Sequence, residues 1–180
     1  MNKKIQFKSY GHLFFGVMLI VFIFFTFNHN IYATSDSWET ENNDSKETAD
    51  YISVNETYHG TSKSHSDRDY YKISVTKPGV LQLNFQYEGT NIWLVGVYDE
   101  EGNYITGTEG GEGNANSKSE KVGIAEGSYY IDVYCYYRGE SSGIEYTFSC
   151  SFFESSSWEQ EVNDDPDTAL RLSLGKTIHG

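Results

Sequence analysis

The sequence predicts an all-β fold, an antiparallel β-sandwich of jelly-roll type with about eight strands, preceded by a short acidic segment. Two observations predict it. Apolar residues recur with a period of two over most of the chain, and no stretch sustains the 3.6-residue period of a long helix. The apolar runs are short and are broken by Gly, Asn, Ser and Pro, as strands joined by turns are.

The first 33 residues stand outside that fold. Met1 to His12 carries Lys3, Lys4 and Lys8 and no acid, Leu13 to Phe27 is apolar except for Gly16 and Thr26, and Ala33 offers a small residue before the polar segment that opens at Thr34. These are the three parts of a secretory signal peptide. The apolar run of 15 residues is short against the roughly 20 that a membrane-spanning helix needs, which favours cleavage and export. Removing residues 1–33 takes away three lysines and no acid, so the formal net charge moves from −13 to −16. Such a charge argues against nucleic acid or an anionic membrane as partner and suits acids partly neutralised by a divalent cation. An acidic extracellular surface accounts for much of the excess by itself.

The exported part opens on Trp38-Glu39-Thr40-Glu41-Asn42-Asn43-Asp44. Glu39, Glu41, Asn43 and Asp44 are hard oxygen donors of the kind calcium takes, and Asp67-Arg68-Asp69 adds a second acidic cluster. The pattern returns at Trp158-Glu159-Gln160-Glu161-Val162-Asn163-Asp164. At a fixed offset of 120, residues 38–60 and 158–180 are identical at 11 of 23 positions. A period that long marks a repeated domain.

Between the two copies the strands follow in order. Ser45 to Tyr51 has room for one helical turn, and Ser53 to Gly60 reads as a first strand. Tyr71, Ile73 and Val75 alternate with polar residues, Lys77-Pro78-Gly79 is a turn, and Leu81, Leu83, Phe85 and Tyr87 alternate again. Asn91 to Tyr98 is apolar on both faces, as a central strand is. Tyr104 to Thr106 begins another, and the Gly/Asn/Ser-rich stretch Glu109 to Ser119 reads as an exposed loop. Lys121 to Ala125 is a short strand. On Ser128 to Tyr137, Tyr129, Ile131, Val133 and Cys135 face one way and Tyr130, Asp132, Tyr134 and Tyr136 the other. Arg138 to Gly143 is a loop, and Ile144 to Phe152 the last strand.

Cys135 and Cys150 both lie in apolar runs. Export permits a disulfide between them, and a bridge and two buried thiols fit the sequence equally. The domain is expected over 34–153, with a linker at 154–157 and the start of a second copy at 158–180. Twenty-three residues cannot bury a core, so the copy is expected neither to fold nor to bind calcium tightly, and the sequence to be either a fragment of a longer protein or the product of a reading frame cut short.

Several of these pieces resemble the bacterial pre-peptidase C-terminal (PPC) domain, and within it the collagen-binding domains of clostridial collagenases. They are Glu39 to Asp44, Ser45 to Ala49, His59 to Thr61, Ser66 to Tyr71, Val75 to Gly79, Val97 to Glu100 and Gly127 to Ile131. The resemblance implies a calcium-dependent β-sandwich appended to secreted peptidases. By position it makes Glu39, Glu41, Asn43, Asp44, Asp67 and Asp69 the ligands of Ca2+, with Thr61 a further candidate through its backbone carbonyl. It also implies an aromatic face that grips collagen, with Tyr130, Tyr134 and Tyr136 at the matching positions. Cys135, Cys150 and the Gly/Asn loop depart from those members.

No catalytic constellation is legible. The exported histidines are His59, His65 and His179, with no HExxH pair and no GxSxG elbow. The expected function is a secreted, non-catalytic module that binds an extracellular polymer, collagen-like matrix protein foremost, as a monomer or one of a tandem. The alternative is an accessory domain of a secreted peptidase whose catalytic part lies elsewhere.

Overall fold

A computed structural model describes residues 36–64, 66–89, 91–110, 117–137 and 143–180, the side chains of 36 and 137 excepted. The signal peptide expected over 1–33, and the centres of the loops expected at 109–119 and 138–143, lie outside the described residues. Ten strands form: β1 (Asp36–Trp38), β2 (Asp50–Tyr51), β3 (Thr57–Ser62), β4 (Arg68–Val75), β5 (Gly79–Tyr87), β6 (Ile92–Asp99), β7 (Tyr104–Gly110), β8 (Ser117–Ile124), β9 (Gly127–Tyr137) and β10 (Ile144–Glu154). They build two five-stranded sheets, in the orders β1-β3-β10-β5-β8 and β2-β4-β9-β6-β7. The fold is the β-sandwich that the period-two pattern predicts.

Eight of the strands pair antiparallel, whereas β1 on β3 and β2 on β4 are parallel. Both parallel strands come from the acidic opening segment, which adds one short strand to an edge of each sheet and so staples the two together. Strands of three and two residues leave no periodicity to read, which is why sequence alone gives eight. Ser53 to Gly60 is also corrected. Val54 and Asn55 turn the chain, with Asn55 at φ 67°, a conformation that Asn tolerates, and β3 starts at Thr57. The Asn55 side-chain oxygen accepts the Phe152 N–H at 3.1 Å, which fixes the turn on β10. Strands β7 and β8 run further into the expected loop from either side, to Gly110 and from Ser117.

Facing side chains of the two sheets fill the core, where Tyr58, Tyr71, Phe85, Trp93, Tyr146 and Phe148 make a continuous run of ring contacts. Aromatic pairs of this kind add to the burial of their area. Cys135 lies on β9 opposite Trp93, and Cys150 on β10 opposite Leu83, in different sheets. They stand as two buried thiols and not as the possible bridge. Burial pushes the Cys150 thiol up to about 12.

Strand β10 runs through Glu154, so the connection to the second copy begins at Ser155. Residues 158–180 contain no strand, yet they are not without structure. Trp158 bridges His179 in parallel, the Glu159 N–H donates to the His179 carbonyl at 2.8 Å, and Thr168 closes a turn on Asp165 at 3.0 Å.

Candidate metal centre and aromatic groove

The acidic opening segment crosses the sandwich where β3 and β4 meet. Its first acid is tied to β3: the Glu39 N–H donates to the His59 carbonyl at 2.9 Å, and Glu39 Oε1 accepts the Thr61 N–H at 2.8 Å. Glu39 Oε2 turns inward, 3.3 Å from the hydroxyls of both Tyr71 and Tyr146. Gly60 makes the approach possible, because a Cβ there would lie 2.2 Å from the Tyr146 hydroxyl and 2.7 Å from Glu39 Oε2. The two hydroxyls are 2.7 Å apart, and that of Tyr146 donates to Asp69 Oδ2 at 2.6 Å. The Asn43 carbonyl accepts the Tyr70 N–H at 2.9 Å, which pins the middle of the segment onto β4.

Around this pin lie the other acids. One carboxylate oxygen each from Glu41, Asp44 and Asp67 falls within 4.8 Å of the others. Lys63 pairs with Glu41 through its ammonium and with Asp67 through its backbone N–H. Burial raises the carboxyls of Glu39, Asp67 and Asp69 above the ordinary range, and the charges of neighbouring acids, Glu41 among them in each case, add to it. Asp69 is pushed up to about 8. Asn43 is fully buried, and neither its amide oxygen nor its amide nitrogen has a hydrogen-bond partner; the same holds for Asp69 Oδ1. Buried polar atoms without partners are costly, and each has a physical reason to be there, an ordered water or an ion among them.

Of the seven sequence-predicted positions, Glu41, Asp44 and Asp67 form one triangle, Glu39 and Asp69 meet at the Tyr146 hydroxyl, Asn43 is fully buried, and Thr61 engages Glu39 through its N–H. A hard cation with six to eight oxygen ligands could be held by this set. Tyr71, Tyr146 and Lys63 were not legible as participants. The two tyrosines follow the core phase of their strands, and their hydroxyls give no signal in a hydrophobic pattern.

The outer face of the second sheet differs from the expected tyrosine face. Tyr130 is buried beneath Lys46 and Lys72, whose ammonium groups stand 4.9 and 5.0 Å from its ring centre. Asp132, next along β9, is also buried and holds Arg68 through two guanidinium nitrogens. The Arg68 guanidinium in turn lies 5.1 Å from the ring of Tyr134. Tyr134 and Tyr136 meet edge to face at 6.4 Å, and Tyr136 is 62% exposed. The three tyrosines therefore do not form one surface; long cations from the turn at Lys46 and from β4 cover the first.

Tyr134 instead borders a groove of about 460 Å³ that runs across β6 and β7. Its floor is the cross-strand pair Gly96 and Gly107, and Leu94, Tyr98, Tyr104 and Arg68 line it as well. Tyr98 and Tyr104 meet edge to face at 5.7 Å. A Cβ on Gly107 would come 2.5 Å from the Val95 carbonyl oxygen, and one on Gly96 2.7 Å from the Tyr98 ring. Sequence reasoning missed Tyr98 and Gly96, because a run apolar on both faces hides which face is open, and Tyr104 and Gly107, because only the pairing of β7 with β6 brings them beside that run.

No family model and no curated protein matches this chain. Among solved structures it is similar to the pre-peptidase C-terminal domain of a collagenase from Bacillus anthracis, at 22% identity and a TM-score of 0.47, over 57% of this chain and 94% of that one. It is also similar to a fucose binding module from Streptococcus pneumoniae, at 17% identity and a TM-score of 0.32, over 55% of this chain and 70% of that one. A β-glucosidase from Paenibacillus barengoltzii aligns at 16% identity and a TM-score of 0.31, over 54% of this chain and 11% of its own. At these levels the functional reading rests on the chain's own residues.

Proposed function

We propose that the chain is a secreted, non-catalytic module of the PPC type, akin to the clostridial collagen-binding domains, in which calcium fastens the opening segment to a β-sandwich that binds an extracellular polymer, collagen-like matrix protein foremost. The observation that carries the cation is Asn43, fully buried with both amide atoms unpartnered beside the triangle of Glu41, Asp44 and Asp67. A cation would supply the missing partner for its oxygen and remove the repulsion among the acids. Glu39, Glu41, Asp44, Asp67 and Asp69 would hold it with Asn43. Calcium suits so many oxygens at flexible distances, whereas magnesium demands tight octahedral geometry and keeps its waters.

The polymer reading draws on the groove. Rigid aromatic walls over a glycine floor give a long ligand a flat, desolvated track, and tyrosines of this kind dominate binding energies. The test is retention on fibrillar collagen, with chitin and peptidoglycan as controls. Tyr134→Ala should cost roughly 1–4 kcal/mol of binding with little effect on folding. Tyr104→Ala should weaken binding in the same direction, and Tyr130→Phe, buried under its lysines, should bind as before. Retention on collagen no greater than on the controls would overturn the collagen reading and favour the accessory domain of a secreted peptidase.

A further inference from the structure

Strand β8 is the outer edge of its sheet. An edge strand presents a row of backbone donors and acceptors that a protein must pair or protect. Here the opening segment of the second copy is seated on that edge. The Glu161 N–H donates to the Gly123 carbonyl at 3.0 Å, and Glu161 forms a parallel bridge with Ile124. Gly123 has no room for a side chain: a Cβ would lie 1.7 Å from the Glu159 carbonyl oxygen and 3.2 Å from the Trp158 Cβ. The first obstacle is backbone, so it can yield only if the whole segment leaves. Beside the contact is a cleft of about 160 Å³ in which Lys121 of β8 faces the same space as Glu159 and Glu161.

The docked segment arrives already shaped. Trp158 packs on His179 at 5.9 Å as Trp38 packs on His59 at 5.1 Å, and a Cβ on Gly180 would meet the Glu159 carboxylate just as one on Gly60 would meet that of Glu39. The contact therefore joins the sandwich to a locally structured segment and not to a loose tail.

We propose that β8 is the docking strand for the following copy of this domain in the same chain, and that Gly123 is the residue that admits it. Consecutive copies are then held at a fixed angle instead of swinging on residues 155–157. A fixed joint sets the angle at which residues 158–180 leave the sandwich. The joint stands apart from the calcium and collagen readings, since neither Gly123 nor Lys121 belongs to either site.

Amide hydrogen exchange on the chain tests it. In the unaltered chain the Glu161 amide should exchange more slowly than the exposed amides of 170–176. Gly123→Val should speed its exchange about fivefold or more, the ratio that goes with one lost net hydrogen bond. The same variant should open 155–157 to protease while leaving the melting temperature of the sandwich unchanged. Lys121→Glu, which leaves Gly123 in place and sets a third acid in the cleft, should loosen the joint in the same direction and restore slow exchange at high salt. A Glu161 amide that is unprotected in the unaltered chain would overturn the proposal, as would an unchanged rate in a folded Gly123→Val. Should Gly123→Val fail to fold, an unchanged rate in Lys121→Glu overturns it.

Discussion

Residues 38–60 and 158–180 share their pattern of Trp, Glu, Asn, Asp, Thr, His and Gly, and they meet different surroundings. What is local is the same in both. Glu39 reaches the His59 carbonyl at 2.9 Å and Glu159 that of His179 at 2.8 Å, and Thr48 and Thr168 close the same turn on Ser45 and Asp165. What depends on distant strands is not. Asn43 is fully buried, whereas Asn163 is half-buried and its amide lies 3.5 Å from the Glu159 carboxylate. Ile52 and Val54 pack against the core, whereas Leu172 and Leu174, at the matching positions, are exposed. In the first copy Asp67, Asp69 and Tyr146 meet the acids of the opening segment. The repeated motif shapes its own loop, and the strands opposite decide what surrounds it.

The largest expected effect is that of calcium on the first copy alone. At free calcium 100 times the dissociation constant, binding to the native state adds about 2.7 kcal/mol, and each kcal/mol is worth roughly 4–8 °C in a domain of this size. EGTA should therefore lower the melting temperature by about 10 °C or more and expose residues 36–51 to protease, with no rescue by magnesium. Glu41→Ala and Asp69→Ala should remove most of that shift; Glu120→Ala, on β8, should not. Identical melting curves with calcium and with EGTA would leave the two copies functionally alike and refute the centre.

Next comes pH. Burial holds the Asp69 carboxyl up at about 8 in the folded, metal-free protein, against about 4 in an unfolded chain. Across that window the folded state binds more protons than the unfolded state, so metal-free stability falls as pH rises and is highest on the acid side. Calcium competes with that proton, so its stabilising effect should grow between pH 5 and pH 8. Melting series in EGTA and in calcium over this range measure both slopes. A metal-free stability that rises with pH would show that Asp69 is not desolvated as described.

A smaller effect should separate the two asparagines. Asn43→Ala removes two unpartnered buried atoms and a candidate ligand together. It should cost roughly 1–2 kcal/mol in calcium and close to nothing in EGTA, while Asn163→Ala should be silent in both. A loss of equal size with and without calcium would make Asn43 a packing residue. The smallest contrast concerns packing itself. Ile52→Ala should cost about 1 kcal/mol, since that side chain is only partly buried. Leu172→Ala should stay within about 0.5 kcal/mol, as exposed substitutions do. Chemical denaturation of the two variants would decide it.

By itself the sequence determined the strand periodicity, the sandwich and the recurrence of the acidic pattern, because each is written in residues close together in the chain. It placed Tyr129, Ile131, Val133 and Cys135 on the core side of β9 because side-chain direction alternates with every residue. Only the tertiary structure decided that Tyr130, in the outward phase, is roofed by Lys46 and Lys72, because coverage depends on which long side chains a neighbouring turn and strand bring over it. The same holds for Cys135 and Cys150, placed in different sheets, and for the groove over Gly96 and Gly107, whose cross-strand pairing is a matter of register. It holds most of all for Gly123. In the sequence it is one glycine in a short strand, and the reason for it lies 36 residues further on, in the Glu159 carbonyl that fills the space a side chain would need.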